Sequence, residues 1–254
     1  MNPKKNNFVT KFHLGKWAIR AETYIFTVCF VYYAIENLMF FLRRSRIIPP
    51  ILNAVAQGTA SVNHLLNLNT LIFYFLMIFF NMIIVTGLIS REDLKKSPDN
   101  LREIIIPLIA TLNLLSFNLI RFLPAKGNLL VIPEGMIPLV SIIGALISTT
   151  GIIISILAML KLRKSFGIFV QVHPIICTGV YKYVRHPIYL GYFLDFIGYS
   201  LLHGRLYYFL LAGLSMMVFI YRAKLEEKKL AQHSEEYRAY MKKTPSIWPK
   251  VTLG

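Results

Sequence analysis

Cysteine and acidic residues are both scarce in this chain of 254 residues, and each shortage argues against a class of protein. The two cysteines, Cys29 and Cys177, lie in or beside apolar runs and form no CxxC pair, so neither a disulfide framework nor a metal site is expected. Only 12 acidic residues oppose 28 lysines and arginines, which gives a net charge of +16. Because the basic residues flank apolar runs and form no stripe on a soluble fold, no nucleic-acid partner is expected.

Long apolar runs dominate the sequence instead. Hydrophobic residues make up 56% of the chain, and a spanning helix needs about 20 mainly apolar residues. Suitable runs occupy 23–42, 65–89, 103–123, 137–160 and 188–221. The last run is interrupted by His203-Gly204-Arg205, which predicts a membrane hairpin at about 188–221 with a short first arm. The predicted fold is therefore all-α, a polytopic integral-membrane helical bundle, while segment 47–64 is left open as a loop or a re-entrant stretch.

Basic residues alternate in number between the segments that separate these runs. Five lie in 1–20, four in 91–102, five in 161–187 and eight from 222 onward, against three in 43–64, two in 121–136 and one at 205. The positive-inside rule therefore predicts that the N-terminus, the 91–102 loop, the 161–187 segment and the C-terminal tail are cytoplasmic. The apolar run after the basic N-terminus lacks a small-residue cleavage site, so we expect a retained helix there.

Residues with chemical potential concentrate in the last part of the chain. Residues 1–160 read as N-terminal transmembrane helices, and 161–254 as a catalytic region with a cofactor pocket at the cytoplasmic edge. Arg185 and His186 precede Pro187, a residue suited to the first turn of a helix. Such a helix start favours a bound anion such as a carboxylate.

Further candidate groups lie on either side of this helix start. Tyr181 and Tyr189 can wall a flat ring, and Arg222 and Glu226 share one helix face at i and i+4. S-adenosylmethionine, which has a carboxylate, an ammonium group and an aromatic base, would match such a site. The alternative is an interfacial anchor, a helix cap, an aromatic belt and a surface ion pair, and the residues alone leave both readings open.

An ordered motif favours the first interpretation, that of a cofactor site. H-P-x-x-x-x-G-V-Y-x-x-x-R-H-P-x-Y-x-G starts at His173, and R-x-x-x-E-E at Arg222 and E-E-Y-x-x-Y at Glu235 follow it. Over roughly 165–250 this combination resembles the isoprenylcysteine carboxyl methyltransferase family, integral-membrane enzymes related to phospholipid N-methyltransferases. The chain departs from that pattern at Gln232-His233-Ser234 and has no alignable match over 161–172.

The resemblance implies an S-adenosylmethionine-dependent methyltransferase with a lipophilic acceptor that enters from the bilayer, most simply a prenylcysteine-like carboxylate. It assigns Arg222 to the substrate carboxylate and Glu226 to the closing of the cofactor pocket, and makes these two the catalytic residues. The remaining cofactor contacts that it implies are His173, Ile176, Tyr181, His186, Pro187, Ile188 and Tyr189.

Other readings remain open at this stage. An amine acceptor would need a base, for which Glu226 or Glu227 is available. A NADPH-dependent membrane reductase of the steroid-reductase type resembles the R-H-P-x-Y-x-G segment, although such enzymes usually carry a glutamate where Tyr192 stands. A non-catalytic membrane protein with the same fold is the third possibility, and the oligomeric state is not predicted.

Overall fold

The computed structural model describes residues 3–91, 98–120, 132–172 and 174–249, and within these it describes no side chains for 3–19, 113–120, 134 and 164. Eight α-helices follow one another in this part of the chain: α1 Pro3–Ser45, α2 Ile48–Ala56, α3 Val62–Ile89, α4 Arg102–Ile120, α5 Ile137–Leu162, α6 Pro187–His203, α7 Leu206–His233 and α8 Glu235–Lys243. Short 3-10 turns occur at Glu134–Met136, Arg163–Ser165 and Gly179–Lys182. The described residues contain no β-strand, so the prediction of an all-α fold is confirmed.

Four of the described helices are long and apolar enough to cross a membrane: Arg20–Ser45, Val62–Ile89, Ile137–Leu162 and Leu206–His233. They coincide with four of the five predicted runs, and α4 matches the fifth as far as residue 120. Large apolar side chains such as Ile25, Phe75 and Leu210 are mostly exposed on these helices. Lipid solvates such apolar surfaces favourably, whereas water does not. The chain is therefore an integral membrane protein.

Segment 47–64, which the sequence left open, is a short helix followed by a turn. Pro49 and Pro50 stand in the first turn of α2, where a missing backbone N–H costs little. Gly58 then adopts a positive φ of 66°, and Ser61 with His64 forms a capping box that begins α3. The segment therefore connects α1 to α3.

The predicted hairpin is formed by α6 and α7. Gly204 ends α6 in the left-handed conformation at φ 62°, and its N–H donates to the Ser200 carbonyl at 2.8 Å. With 17 residues, α6 is the short arm that the sequence indicated. α7 continues to His233, beyond the apolar run that ended at 221, and so carries Arg222 and Glu226 on a regular helix.

Small residues let α5 and α6 approach backbone to backbone. A Cβ on Gly151 would lie 2.5 Å from the Gly191 carbonyl oxygen, and one on Gly144 would lie 2.6 Å from the Gly198 carbonyl oxygen. Close packing through small residues is the usual way in which membrane helices associate. The start of α6 is thus fixed against α5, although the predicted boundary at 160 assigns the two helices to different regions; that boundary stays a prediction.

Ion pairs connect the termini of several helices at one end of the bundle. Near the beginning of the α1 span, Glu22 pairs with Arg91, which follows α3, at 3.2 Å. Glu103 at the start of α4 pairs with Lys229 of α7. The segments that the charge pattern assigned to one side of the membrane therefore meet at one end.

Candidate functional site

A pocket at this end of the bundle contains most of the predicted site residues. It has about 1010 Å³ of space, its open mouth included. Its lining includes the predicted residues Ile176, Tyr181, His186, Ile188, Tyr189, Arg222 and Glu226. Pro187 is buried as the first residue of α6 but is outside this lining, and His173 lies outside the described residues.

Buried Arg222 and half-buried Glu226 form an ion pair on the pocket wall. Arg222 is 7% exposed, and its Nε donates to Glu226 Oε1 at 2.9 Å. Its Nη2 donates to the Ile168 carbonyl at 2.7 Å, and its guanidinium carbon lies 5.6 Å from the centre of the Tyr189 ring. The alternative reading of an ordinary surface pair is therefore wrong.

Tyr189 and His186 extend this pair toward the start of α6. The Tyr189 hydroxyl donates to Glu226 Oε1 at 2.7 Å. The His186 ring stacks on the Tyr189 ring at 5.2 Å with an interplanar angle of 5°, and its Nδ1 lies 3.7 Å from Glu226 Oε2. α6 begins at Pro187 as expected, but the His186 side chain makes no helix-capping hydrogen bond and faces carboxylates of the chain itself.

Glu227 is the centre of a second cluster that the sequence did not predict. Its Oε1 accepts from Arg185 Nε at 3.0 Å and from Ser246 Oγ at 2.7 Å, and lies 3.0 Å from His186 Nε2. Arg185 is also paired with this oxygen through Nη2 at 2.9 Å. Arg185 is thus a half-buried partner of α7, held by Glu227, and not an unpaired interfacial side chain.

The C-terminal segment 244–248 lies across the residues that precede α6. The backbone N–H of Arg185 donates to the Pro245 carbonyl at 2.9 Å, and that of His186 donates to the Ser246 carbonyl at 2.9 Å. The Arg185 side chain donates to the carbonyls of Met241 and Thr244. The end of the chain therefore helps to hold the site residues in place.

Aromatic side chains supply the rest of the pocket wall. Tyr181 is buried, and Tyr240 of α8 donates its hydroxyl to the Tyr181 carbonyl. Burial, reinforced by the nearby Glu226 charge, raises the pKa of the Tyr181 phenol above its ordinary value. The phenol therefore stays protonated at neutral pH and can act as a hydrogen-bond donor.

Two further residues of the site were missed in the sequence, Gln171 and Glu22. Gln171 lines the pocket, and its Oε1 is buried without a hydrogen-bond partner among the described residues. Since buried polar atoms are usually paired, this oxygen is a candidate acceptor for a donor on a ligand. Its Nε2 donates to Glu22 Oε2 at 2.7 Å.

The sequence gives only weak indications that these two residues belong to the site. Gln171 is a polar residue within the apolar stretch GIFVQV, and Glu22 directly precedes the apolar run 23–42. An ionisable residue at the edge of a membrane helix is costly unless it is paired. The position of Glu22 therefore indicates a paired side chain, although it does not identify the partner.

Sequence comparisons find relatives for the part of the chain that carries this site. The Phospholipid methyltransferase family matches residues 139–236. Protein-S-isoprenylcysteine O-methyltransferase of Schizosaccharomyces pombe is 34% identical over 101 residues, which cover 37% of this chain and 43% of the relative. The protein of the same name from Saccharomyces cerevisiae is 34% identical over 119 residues, 41% of this chain and 47% of the relative. The matches thus cover less than half the length of these curated relatives.

A structural comparison gives a match over nearly the whole chain. The eukaryotic intramembrane Ras methyltransferase ICMT (isoprenylcysteine carboxyl methyltransferase) aligns with 95% of this chain and 98% of its own, at 19% identity and a TM-score of 0.45. The family match at 139–236 contains every predicted site residue, from His173 to Glu226. The sequence matches confirm that the motif-bearing part of this chain is similar to phospholipid and isoprenylcysteine methyltransferases.

Proposed function

We propose that this protein is a membrane-embedded methyltransferase that uses S-adenosylmethionine and methylates a lipophilic carboxylate of the prenylcysteine type. The observation that carries the proposal is the ion pair of buried Arg222 with half-buried Glu226 on the pocket wall, joined by Tyr189 and His186. An arginine and a glutamate held side by side offer a cationic and an anionic contact within one pocket. The two curated relatives of this part of the chain are named as isoprenylcysteine O-methyltransferases.

The residues of the pocket fit S-adenosylmethionine. The cofactor has amine, hydroxyl and ammonium donors, and Glu226 and the unpaired Gln171 Oε1 are acceptors on the pocket wall. Tyr181 offers a ring and a hydroxyl group, whereas the Tyr189 ring already stacks on His186 and Phe219 and its hydroxyl already donates to Glu226. When bound, S-adenosylmethionine supplies an electrophilic methyl group on its sulfonium. The further contact at His173 rests on the resemblance and remains a prediction.

The acceptor side of the pocket combines a cation with apolar walls. Arg222 Nη1 makes no hydrogen bond to a described residue and is the nitrogen assigned here to the acceptor carboxylate. Apolar side chains from three parts of the chain suit an isoprenoid or acyl chain: Phe30 of α1, Leu162 of α5, and Phe166, Phe169 and Ile175 of the following segment. An isoprenoid thioether with a free carboxylate has both properties.

The chemistry of the glutamates favours a carboxylate over an amine acceptor. An ammonium group must lose a proton before it attacks, which requires a free base. Glu226 and Glu227 each already bind an arginine and approach His186. A carboxylate acceptor is an anion at neutral pH and needs no base, so positioning by the chain is sufficient.

The proposed orientation places the pocket on the cytoplasmic side of the membrane. The same end of the bundle contains Glu22, Arg91, Glu103 and Lys229, which lie in or next to the segments rich in lysine and arginine. The positive-inside rule then favours the cytoplasm for that end.

Methyl transfer by the full chain in proteoliposomes tests the proposal. The protein is incubated with methyl-labelled S-adenosylmethionine and either an S-farnesylated cysteine with a free carboxylate or phosphatidylethanolamine. We expect label in the cysteine lipid that alkali releases as methanol, because methyl esters hydrolyse whereas N-methyl groups do not. Alkali-stable label in phosphatidylethanolamine would instead favour the lipid N-methyltransferase reading that the family match allows.

A ligand-binding measurement separates the proposal from the other two readings. A ligand that binds the native state raises its thermal stability. We expect S-adenosylmethionine, and not NADPH, to raise the melting temperature of the purified protein. Stabilisation by NADPH alone indicates a reductase, and stabilisation by neither ligand indicates a non-catalytic membrane protein.

A further inference from the structure

We infer that Glu22, in membrane helix α1, is a positioning residue that sets the hydrogen-bonding polarity of the pocket wall at Gln171 and supports Arg222 through Ile168. The inference rests on the proposed function, since it concerns the same pocket. Glu22 is 1% exposed and does not line the pocket itself, so it acts only through its neighbours.

The two carboxylate oxygens of Glu22 hold different parts of the segment that follows α5. Oε1 accepts from the backbone N–H groups of Ile168 and Phe169, the latter at 3.1 Å. Oε2 accepts from Gln171 Nε2 at 2.7 Å and lies 3.2 Å from Arg91 Nη1. One buried side chain of α1 thus anchors three residues of the pocket wall, Ile168, Phe169 and Gln171, which belong to a distant part of the sequence.

Arg222 depends on the same anchor. Its Nη2 donates to the carbonyl oxygen of Ile168, the residue whose N–H binds Glu22. The Ile168 residue therefore connects the α1 carboxylate to the guanidinium proposed to hold the acceptor. A shift of this segment would move Arg222 relative to the acceptor, and small misplacements of a positioning group reduce rates.

The carboxylate of Glu22 also sets the orientation of the amide of Gln171, which is a residue of the pocket lining. A carboxylate only accepts hydrogen bonds, so the Gln171 NH₂ group must point toward it and Oε1 must point away. Gly167 leaves room there, because a Cβ on Gly167 would lie only 2.9 Å from that Oε1. Glu22 thereby keeps an acceptor, and not a donor, beside Gly167, which also lines the pocket.

The substitution Glu22→Gln changes this polarity with little change in shape. The oxygen of the new amide can still accept hydrogen bonds from the N–H groups of Ile168 and Phe169. The NH₂ group of that amide then lies against the NH₂ group of Gln171, so two donors face each other. Gln171 is then expected to rotate by half a turn and present its NH₂ group to the pocket. The exchanged pair E22Q/Q171E restores a carboxylate beside Arg91 and an acceptor toward the pocket.

The experiment measures S-adenosylmethionine affinity by calorimetry and acceptor kinetics with S-farnesylated cysteine, for the parent, E22Q, E22Q/Q171E and the control E36Q. Glu36 is an exposed residue of the same helix, so E36Q repeats the chemical change without the contacts. We expect E22Q to raise the Kd of S-adenosylmethionine about tenfold, as for one mismatched buried hydrogen bond. We expect E22Q/Q171E to recover most of this loss and E36Q to behave as the parent.

The outcomes separate the inference from the proposed function. A parent that neither binds S-adenosylmethionine nor methylates the acceptor refutes the proposed function and the inference with it. An active parent with an unchanged Kd in E22Q overturns the inference alone, and so does a loss in E22Q that the exchanged pair does not recover, because that loss would be merely structural. If E22Q does not fold, Glu22→Asp takes its place; it keeps the charge but shortens the reach, and an unchanged Kd there overturns the inference equally.

Discussion

Replacing Arg222 by lysine tests the role of its guanidinium while keeping the charge beside Glu226. Lysine carries its three N–H donors on one nitrogen, so it cannot span the separate positions from which the planar fork of arginine reaches Glu226, the Ile168 carbonyl and an acceptor carboxylate. Loss of one hydrogen bond to a charged group costs about 1.5–3 kcal/mol, which corresponds to a decrease of about 10- to 100-fold in kcat/KM for the acceptor.

The affinity for the cofactor is expected to respond less to this change. The retained ammonium group still faces Glu226, so we expect the Kd of S-adenosylmethionine to change less than about fivefold, equivalent to about 1 kcal/mol. Methylation of S-farnesylated cysteine and calorimetry with S-adenosylmethionine measure the two effects separately. Arg238→Lys is the matched control, because Arg238 pairs with Glu235 on an exposed face of α8. If Arg222→Lys is as active as that control, Arg222 does not hold the acceptor.

Three further predictions concern packing, the C-terminal segment and orientation. Gly151→Ala brings a methyl group against the backbone of α6 and is expected to lower stability by about 1–3 kcal/mol in thermal unfolding, whereas Gly213→Ala, which meets open space, should not destabilise. Ser246→Ala removes the hydroxyl that ties the C-terminal segment to α7, and we expect a lower melting temperature and weaker S-adenosylmethionine binding. In a cysteine-free background, an impermeant thiol reagent outside intact cells should label Ala60→Cys and leave Lys243→Cys unlabelled; the reverse pattern contradicts a cytoplasmic site.

The parts of the site that are local in sequence could be predicted. Pro187 announces the start of α6, and the spacing of Arg222 and Glu226 places them on one helix face, because both features depend on backbone geometry within one or two turns. The spans themselves follow from length and hydropathy. The apolar run stops at residue 221, but α7 continues to His233, because the helix-forming residues KLEEKKLAQ extend its hydrogen bonding.

The contacts between distant segments could not be predicted in this way. Glu22 and Ile168 are separated by 146 residues, and Arg185 and Glu227 by 42. Spacing alone carries no information about such pairs, because their meeting depends on how α1, α5, α6 and α7 pack. The departure of 161–172 from the family pattern marked a segment whose partners lie in the first helix, which the motif does not reach.

The scarcity of acidic residues makes their positions more informative than those of the basic ones. With 28 lysines and arginines available, almost any cation can occupy a membrane edge, whereas only 12 carboxylates exist to pair with them. Glu22, Glu103, Glu226 and Glu227 each bind a cation at the pocket end of the bundle. Because an unpaired charge removed from water is costly, each of these glutamates selects which cation is held in place and where. The first helices therefore do more than contact lipid. Glu22 of α1 fixes the segment that follows α5, and Glu103 of α4 fixes α7, and these two parts of the chain carry the proposed chemistry.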